Sequence, residues 1–393
     1  MELYIHIPFC MKKCDYCDFL SAPYPAGVRQ AYTGAICEEI RFFGEKLGHP
    51  AVETIFIGGG TPTWLETHLM AEIMETVHAQ FAIHEDAEIS MECNPGTASR
   101  EAFASYRSWG LNRLSIGLQS ADDEELRLLG RVHDYSRFLK TYENARRTGI
   151  SNINIDIMTS LPYQTLTKLE KTLYRVISLK PEHISAYALM VEAGTPFYDR
   201  YRQDEIAREA GFATKALPDD DESYRQSKLA QQILQEQGYE RYEISNYAKW
   251  GLICRHNVGY WTRAEYLGVG LGASSLLGHI RCTNERDMDA YIAHCRELPM
   301  NPEEDSPAWA SVQELSRKDE IEEFMYLGLR MTAGISRSDF QACFGQSIDV
   351  YYKEILERLR EQGLIILEGG RIFLSEWGMD ISNRVLAEFL LDP

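Results

Sequence analysis

From residue 3 to about residue 190, short apolar runs alternate with longer stretches whose apolar positions recur at helical spacing. The short runs predict strands at 3–9, 54–57, 88–92, 113–118, 152–158 and 183–189. The longer ones predict helices at 29–47, 65–80, 99–109, 136–148 and 166–179. Repeated strand–helix units imply parallel strands joined by right-handed crossovers. Six of them predict an α/β fold built as an incomplete (β/α)6 barrel; a doubly wound open sheet gives the same linear pattern and is the alternative. The polar residues favour the barrel. Cys10 to Cys17, Gly58-Gly59-Gly60-Thr61, Glu92 to Asn94, Gln119-Ser120, Asp156 and Met190 all fall at or just past strand carboxyl ends, where such folds carry their sites.

Beyond residue 190 the rhythm breaks. The segment 191–300 reads as an extension of the barrel, with a long polar helix at 220–237, a strand at 242–245 and the run Cys254-Arg255-His256-Asn257-Val258-Gly259-Tyr260-Trp261. Residues 301–311 read as a linker. A last domain over 312–393 follows, with helices at 318–332, 336–344 and 347–362, a hairpin at 364–374 turning at Gly369-Gly370, and a final helix at 378–391. Helices followed by a small hairpin resemble a winged helix. A DNA-reading version needs a basic recognition helix, whereas 347–362 sets Asp349, Glu354, Glu357 and Glu361 against Lys353, Arg358 and Arg360, which predicts a packing element.

Charge narrows the function classes. Against 40 Lys and Arg stand 59 Asp and Glu, a formal net charge of −19 that opposes attraction to phosphate backbones, so nucleic acid is not expected as a partner. No run of 18 apolar residues could span a bilayer, and Met1-Glu2-Leu3-Tyr4 leads straight into a strand with no basic, apolar leader, which predicts a cytoplasmic protein. The nine cysteines are scattered and odd in number, as expected of reduced thiols rather than a disulfide scaffold.

Cys10, Cys14 and Cys17 carry the most chemistry. Spaced C-x3-C-x2-C, they can wrap three thiolates around one corner of an inorganic centre, and soft sulfur selects iron–sulfur clusters or zinc. Zinc would need a fourth thiolate or imidazole, which Asp15, Asp18 and Phe19 do not offer. A [4Fe–4S] cluster held by three thiolates keeps one iron open. Three unrelated core cysteines are the plainer alternative, but Lys12 and Lys13 between them are not core residues and should lower the thiol pKa.

The glycine run at 58–60 lets backbone approach a ligand without side chains in the way, or simply makes a tight turn. Glu92, Gln119, Arg131 and Asp156 sit on the same mouth. A carboxylate there can hold ribose hydroxyls, and Gln119 or Arg131 can grip a carboxylate, unless each is an ordinary rim residue with a salt-bridge partner. His256 beside Asn257, Tyr260 and Trp261 could serve as an axial haem ligand between flat apolar walls, or be a satisfied core histidine beside core aromatics.

Tyr4-Ile5-His6-Ile7-Pro8-Phe9-Cys10-x3-Cys14-x2-Cys17 resembles the opening of the radical S-adenosylmethionine enzymes, in the branch containing oxygen-independent coproporphyrinogen III dehydrogenase. Gly58 to Thr63, Glu92-Cys93-Asn94-Pro95, Ser115 to Ser120 and Asn154-Ile155-Asp156 continue the likeness, which covers nearly the whole chain. Phe19 stands where the dehydrogenase has a fourth cysteine, the sequence starts three residues ahead of Tyr4 where the dehydrogenases carry an N-terminal arm, and His256-Asn257-x2-Tyr260-Trp261 matches an element of the branch's haem chaperones.

By this resemblance Cys10, Cys14 and Cys17 would ligate the cluster, and Tyr4, Tyr16, Gly59, Gly60, Thr61, Glu92, Gln119, Arg131, Asp156 and Met190 would line the S-adenosylmethionine pocket. Glu92 would hold the ribose, Arg131 the carboxylate end, and Met190 would contact the adenine through its backbone. Haem would be the cargo, with His256, Asn257, Tyr260 and Trp261 as its candidate site. An acceptor haemoprotein would be the partner, any membrane being reached through that acceptor. The enzyme alternative is radical decarboxylation of coproporphyrinogen III to protoporphyrinogen IX, for which Phe19 is the wrong residue.

Overall fold

The computed structural model describes residues 1–298, 305–306 and 308–391. Six strands form its centre: β1 (Glu2–Ile7), β2 (Ala51–Gly59), β3 (Ala82–Cys93), β4 (Arg113–Gln119), β5 (Asn152–Thr159) and β6 (His183–Ala188). All are parallel, and each pairs with the next in chain order, β1 through β6. This order winds in one direction with no switch point, so the doubly wound alternative fails and the partial barrel stands.

Helices α1 (Ala26–Lys46), α2 (Thr67–Gln80), α3 (Arg100–Ser108), α4 (Asp123–Leu128), α5 (Tyr135–Arg147) and α6 (Leu166–Ser178) fill the crossovers. Side chains on a strand alternate between faces. Leu3, Ile5 and Ile7 of β1 accordingly join one core with Ile36, Ile40 and Phe43 of α1, which leaves Tyr4 and His6 on the inner face. Ser99, Asp134 and Thr165 cap α3, α5 and α6 through their side chains.

Past β6 come α7 (Pro196–Glu209), α8 (Asp220–Glu236), β7 (Glu240–Arg241), β8 (Asn246–Ala248), α9 (Arg255–Trp261), β9 (Tyr266–Val269), β10 (Ser274–Leu277), β11 (Ile280–Asn284) and α10 (Met288–Arg296). β8 and β7 extend the sheet antiparallel beyond β6, while β9 pairs parallel with the other edge of β1 and leads to β10, β11 and β12 (Trp309–Glu314). Two expectations are corrected here. The strand at 242–245 is the bend between β7 and β8, with Glu243 bridged to Met331 instead. The supposed linker at 301–311 is, in its last three residues, edge strand paired to β11; 301–304 and 307 lie outside the described residues.

The C-terminal part holds α11 (Arg317–Gly328), β13 (Ile335–Ser336), α12 (Arg337–Phe344), α13 (Asp349–Glu361), β14 (Ile365–Glu368), β15 (Arg371–Leu374), α14 (Glu376–Asp380) and α15 (Ser382–Ala387). The expected final helix is thus two short ones. Three small strands in the order β13-β15-β14 pack with the helices around a second core, to which α13 gives Tyr352, Leu356 and Leu359. That makes α13 a packing helix. Glu323 of α11 fastens this part to the barrel extension by ion pairs to Arg263 and Arg281.

Candidate functional site

A cavity of about 670 Å³ opens at the carboxyl ends of the parallel strands. All three cysteines of the loop after β1 line it, as do Tyr16, Gly59, Gly60, Thr61, Glu92, Gln119, Arg131, Asp156 and Met190. Of the residues assigned to the S-adenosylmethionine pocket only Tyr4 is missing from this wall. It stands one ring behind, stacked on Phe56 with centroids 6.4 Å apart.

The cysteine loop is held at several points. Cys10 N donates to Ala22 O at 3.1 Å, and Asp15 N reaches Leu129 O at 3.3 Å while its carboxylate pairs with Arg200 at 2.9 Å. The glycine loop is tied to the same strand end, since Gly60 N donates to Ile7 O and Thr61 N to Phe9 O, both at 2.8 Å. A Cβ at Gly60 would come within 2.8 Å of Phe9 O and 3.0 Å of Cys10 Sγ. Only glycine keeps that space beside the thiol free.

All three thiols are free. Burial pushes the Cys17 thiol up to about 11, with Lys13 a minor opposing influence. The expected lowering by lysine is present but outweighed by burial, and Lys13 Nζ also donates to Phe19 O at 2.9 Å, bracing the loop. Among the described residues no three His, Cys, Asp or Glu side chains converge on a point able to hold a single metal ion. Three soft thiols spread along one cavity wall fit a polynuclear cluster better than zinc.

Arg131 follows α4, a helix absent from the sequence reading. Its Nη2 donates to Asn94 Oδ1 and Gly117 O, both at 2.6 Å, and its Nη1 lies 3.5 Å from Cys14 Sγ and 3.3 Å from Tyr16 Oη. Burial opposes the charge, but Tyr16 and Cys14 outweigh it and keep the guanidinium cationic. Its Nε is buried with no protein partner, a vacancy suited to an anionic group.

Glu92 Oε2 accepts from Gly59 N at 3.0 Å; burial, with Asp156 nearby, pushes its carboxyl up to about 8. Asp156, also raised by burial, accepts from Ser115 Oγ at 3.1 Å and Asn154 Nδ2 at 2.7 Å. Gln119 sits at φ 71°, a strained conformation for a non-glycine residue. Tyr187 Oη donates to its Oε1 at 3.0 Å, which leaves the amide N–H groups for the cavity. Tyr187 escaped the sequence reading, and Asn94 entered it only within the strand-end run Glu92 to Asn94, with no role assigned.

The run around α9 divides. Asn257 lines the first cavity. Tyr260 and Trp261 line a second, of about 480 Å³, together with Tyr4, His6, Tyr266 and Arg281. His256 belongs to neither. It is wholly buried, its Nδ1 2.7 Å from Thr54 Oγ1 and its Nε2 2.9 Å from Tyr260 Oη, with its ring stacked on Phe56 at 5.3 Å. Burial, then the nearby Arg113, lowers its pKa to about 3, so the imidazole is neutral. Both ring nitrogens of His256 are thus engaged within the fold, the arrangement expected of a satisfied core histidine.

This architecture, with its cysteine loop, is that of the radical S-adenosylmethionine superfamily, whose family model matches residues 4–176; the model of the HemN C-terminal domain matches residues 315–381. Among curated proteins, the heme chaperone HemW of Bacillus subtilis is 34% identical over 98% of both chains, and that of Escherichia coli 33% identical over 95% of this chain and 96% of its own. The mitochondrial radical S-adenosyl methionine domain-containing protein 1 of Bos taurus is 31% identical over 99% of this chain and 87% of its own. The chain belongs to the HemW family. In fold it superposes on coproporphyrinogen III oxidase (HemN) of Escherichia coli with a TM-score of 0.81 at 23% identity, over 99% of this chain and 89% of that one. Among the described residues no helix is long and apolar enough to cross a membrane.

Proposed function

We propose that Cys10, Cys14 and Cys17 hold a [4Fe–4S] cluster, that S-adenosylmethionine occupies the first cavity, and that the chain is a haem chaperone delivering haem to an acceptor haemoprotein. The observation that carries the reading is the meeting, in one cavity, of three free thiols, a side-chain-free glycine loop and a cationic Arg131 with an unpartnered Nε. The names of full-length relatives, heme chaperones, supply the cargo.

When bound, the cluster would offer an iron without a protein ligand for the amino and carboxylate groups of S-adenosylmethionine. The chain's residues divide the rest. Arg131 faces the carboxylate, Glu92 meets the ribose hydroxyls as a neutral carboxyl below about pH 8, and Gln119 and Asp156 complete the polar wall. Asn257, Tyr260 and Trp261 remain the candidate haem contacts, with His256 acting by holding Tyr260.

The test is anaerobic reconstitution followed by haem titration and a coproporphyrinogen III assay on the same sample. About one haem per chain and no protoporphyrinogen IX are expected. Turnover of coproporphyrinogen III would move the reading to the dehydrogenase. Failure to take up haem would remove the chaperone role.

A further inference from the structure

His6 lies on the inner face of β1, between the two loops that frame the first cavity. Its Nε2 is 3.0 Å from Leu20 O and its Nδ1 2.9 Å from Tyr4 Oη. A carbonyl can only accept, so Nε2 carries the proton and Nδ1 accepts from the tyrosine. The ring is locked in one tautomer and one orientation. Leu20 ends the cysteine loop, so this bond fixes the far end of the segment that Cys10 begins.

The same ring faces the glycine loop. Gly59 has φ 114°, and a Cβ there would lie 2.6 Å from His6 Cε1. The imidazole thus sits directly against Gly59, whose N–H is aimed at Glu92 Oε2 at 3.0 Å. One side chain therefore touches the end of the thiol loop and the turn that orients Glu92. His6 itself is outside the wall of the first cavity and lines the second. It is not a ligand.

We infer that His6 is the positioning residue that sets the cysteine loop and the Gly59 turn in register with each other, so that three thiols and Glu92 face one volume. This rests on the cluster reading proposed above. Residues that orient metal ligands from behind commonly cost about 10–100-fold in metal affinity when replaced.

The experiment compares wild type, His6→Phe, His6→Gln and Tyr4→Phe after anaerobic reconstitution, by iron retained against a chelator and by the electron paramagnetic resonance spectrum of the reduced cluster. His6→Phe keeps a ring against Gly59 but loses both hydrogen bonds. It should hold iron about tenfold less well and give an altered spectrum. In His6→Gln the amide can donate to Leu20 O and accept from Tyr4, and it should recover most of the loss. Tyr4→Phe should fall between. Wild-type iron and spectrum in His6→Phe, or a His6→Gln variant no better than His6→Phe, would overturn the inference. Should His6→Phe not fold, His6→Gln and Tyr4→Phe decide it: a wild-type spectrum in Tyr4→Phe, or a His6→Gln variant that loses iron to the chelator as readily as the cysteine-free protein, overturns it. Wild type that takes up no iron would sink the cluster reading instead, a separate outcome.

Discussion

The cysteine loop and the helix α9 stand out in the sequence for one reason, the presence of side chains that metals favour, yet the fold treats them in opposite ways. Around Cys10, Cys14 and Cys17 it leaves bonding capacity unspent: free thiols, an unpaired Arg131 Nε and a glycine that keeps space open. The His256 ring itself has nothing left to offer: its two nitrogens meet Thr54 and Tyr260 and its face meets Phe56. Residue type nominates a site, but an unsatisfied valence marks one.

The largest expected effect falls on the first region. Replacing Cys10, Cys14 and Cys17 together by Ala should abolish the binding of about four irons per chain, while Cys37, Cys93, Cys254, Cys282, Cys295 and Cys343 should be dispensable for it. Iron analysis and visible absorption decide this. Iron retained by the triple variant would erase the contrast between the regions.

The second prediction concerns His256→Ala. It leaves the hydroxyl of Tyr260 without its partner, takes from Thr54 one of its two, and opens a void beside Phe56, which should cost about 3 kcal/mol in denaturant unfolding. The haem absorption maximum should not move. A shifted haem band with unchanged stability would make His256 a ligand after all and break the comparison from the other side.

The smallest effect sharpens it. Burial pushes the Glu2 carboxyl from 4.5 up to about 8, the hydrogen bond with Thr54 opposing; its Oε2 has no hydrogen-bond partner and lies 4.0 Å from His256 Nδ1. Between about pH 4.5 and about pH 8 the folded chain keeps a proton that the unfolded chain gives up. Unfolding then releases a proton, so this group's contribution to stability falls as pH rises through that window. Glu2→Gln should flatten the decline in melting temperature. Equal slopes in wild type and variant would show that Glu2 ionises normally in the fold.

The parallel strands were legible because the face packed against the helices carries an apolar residue at every second position, as at Ile153, Ile155 and Ile157. The extension was not, because β7 to β11 span two to five residues each, too few for a period to show. Tyr242 and Ile244 looked like alternation, but the chain bends there to meet Met331. At the site, cysteines, glycines and strand-end carboxylates announce themselves by type and spacing. Asn94, Tyr187 and His6 do not, since each matters through a contact with a segment distant in sequence. For His256 the same blindness worked in reverse: nothing near it in the chain reveals that Thr54 occupies its Nδ1.

β1 is an interior strand, flanked by β2 on one side and β9 on the other. During synthesis β2 follows soon after, but Tyr266 to Val269 emerge only when most of the chain has been made. Until then the backbone that leads into Cys10 has one unpaired flank, open to pairing with the wrong strand. The segment proposed to receive iron is consequently among the first to be made and among the last to be enclosed, so premature termination before β9 yields a product exposed to aggregation at the very strand the cluster loop hangs from.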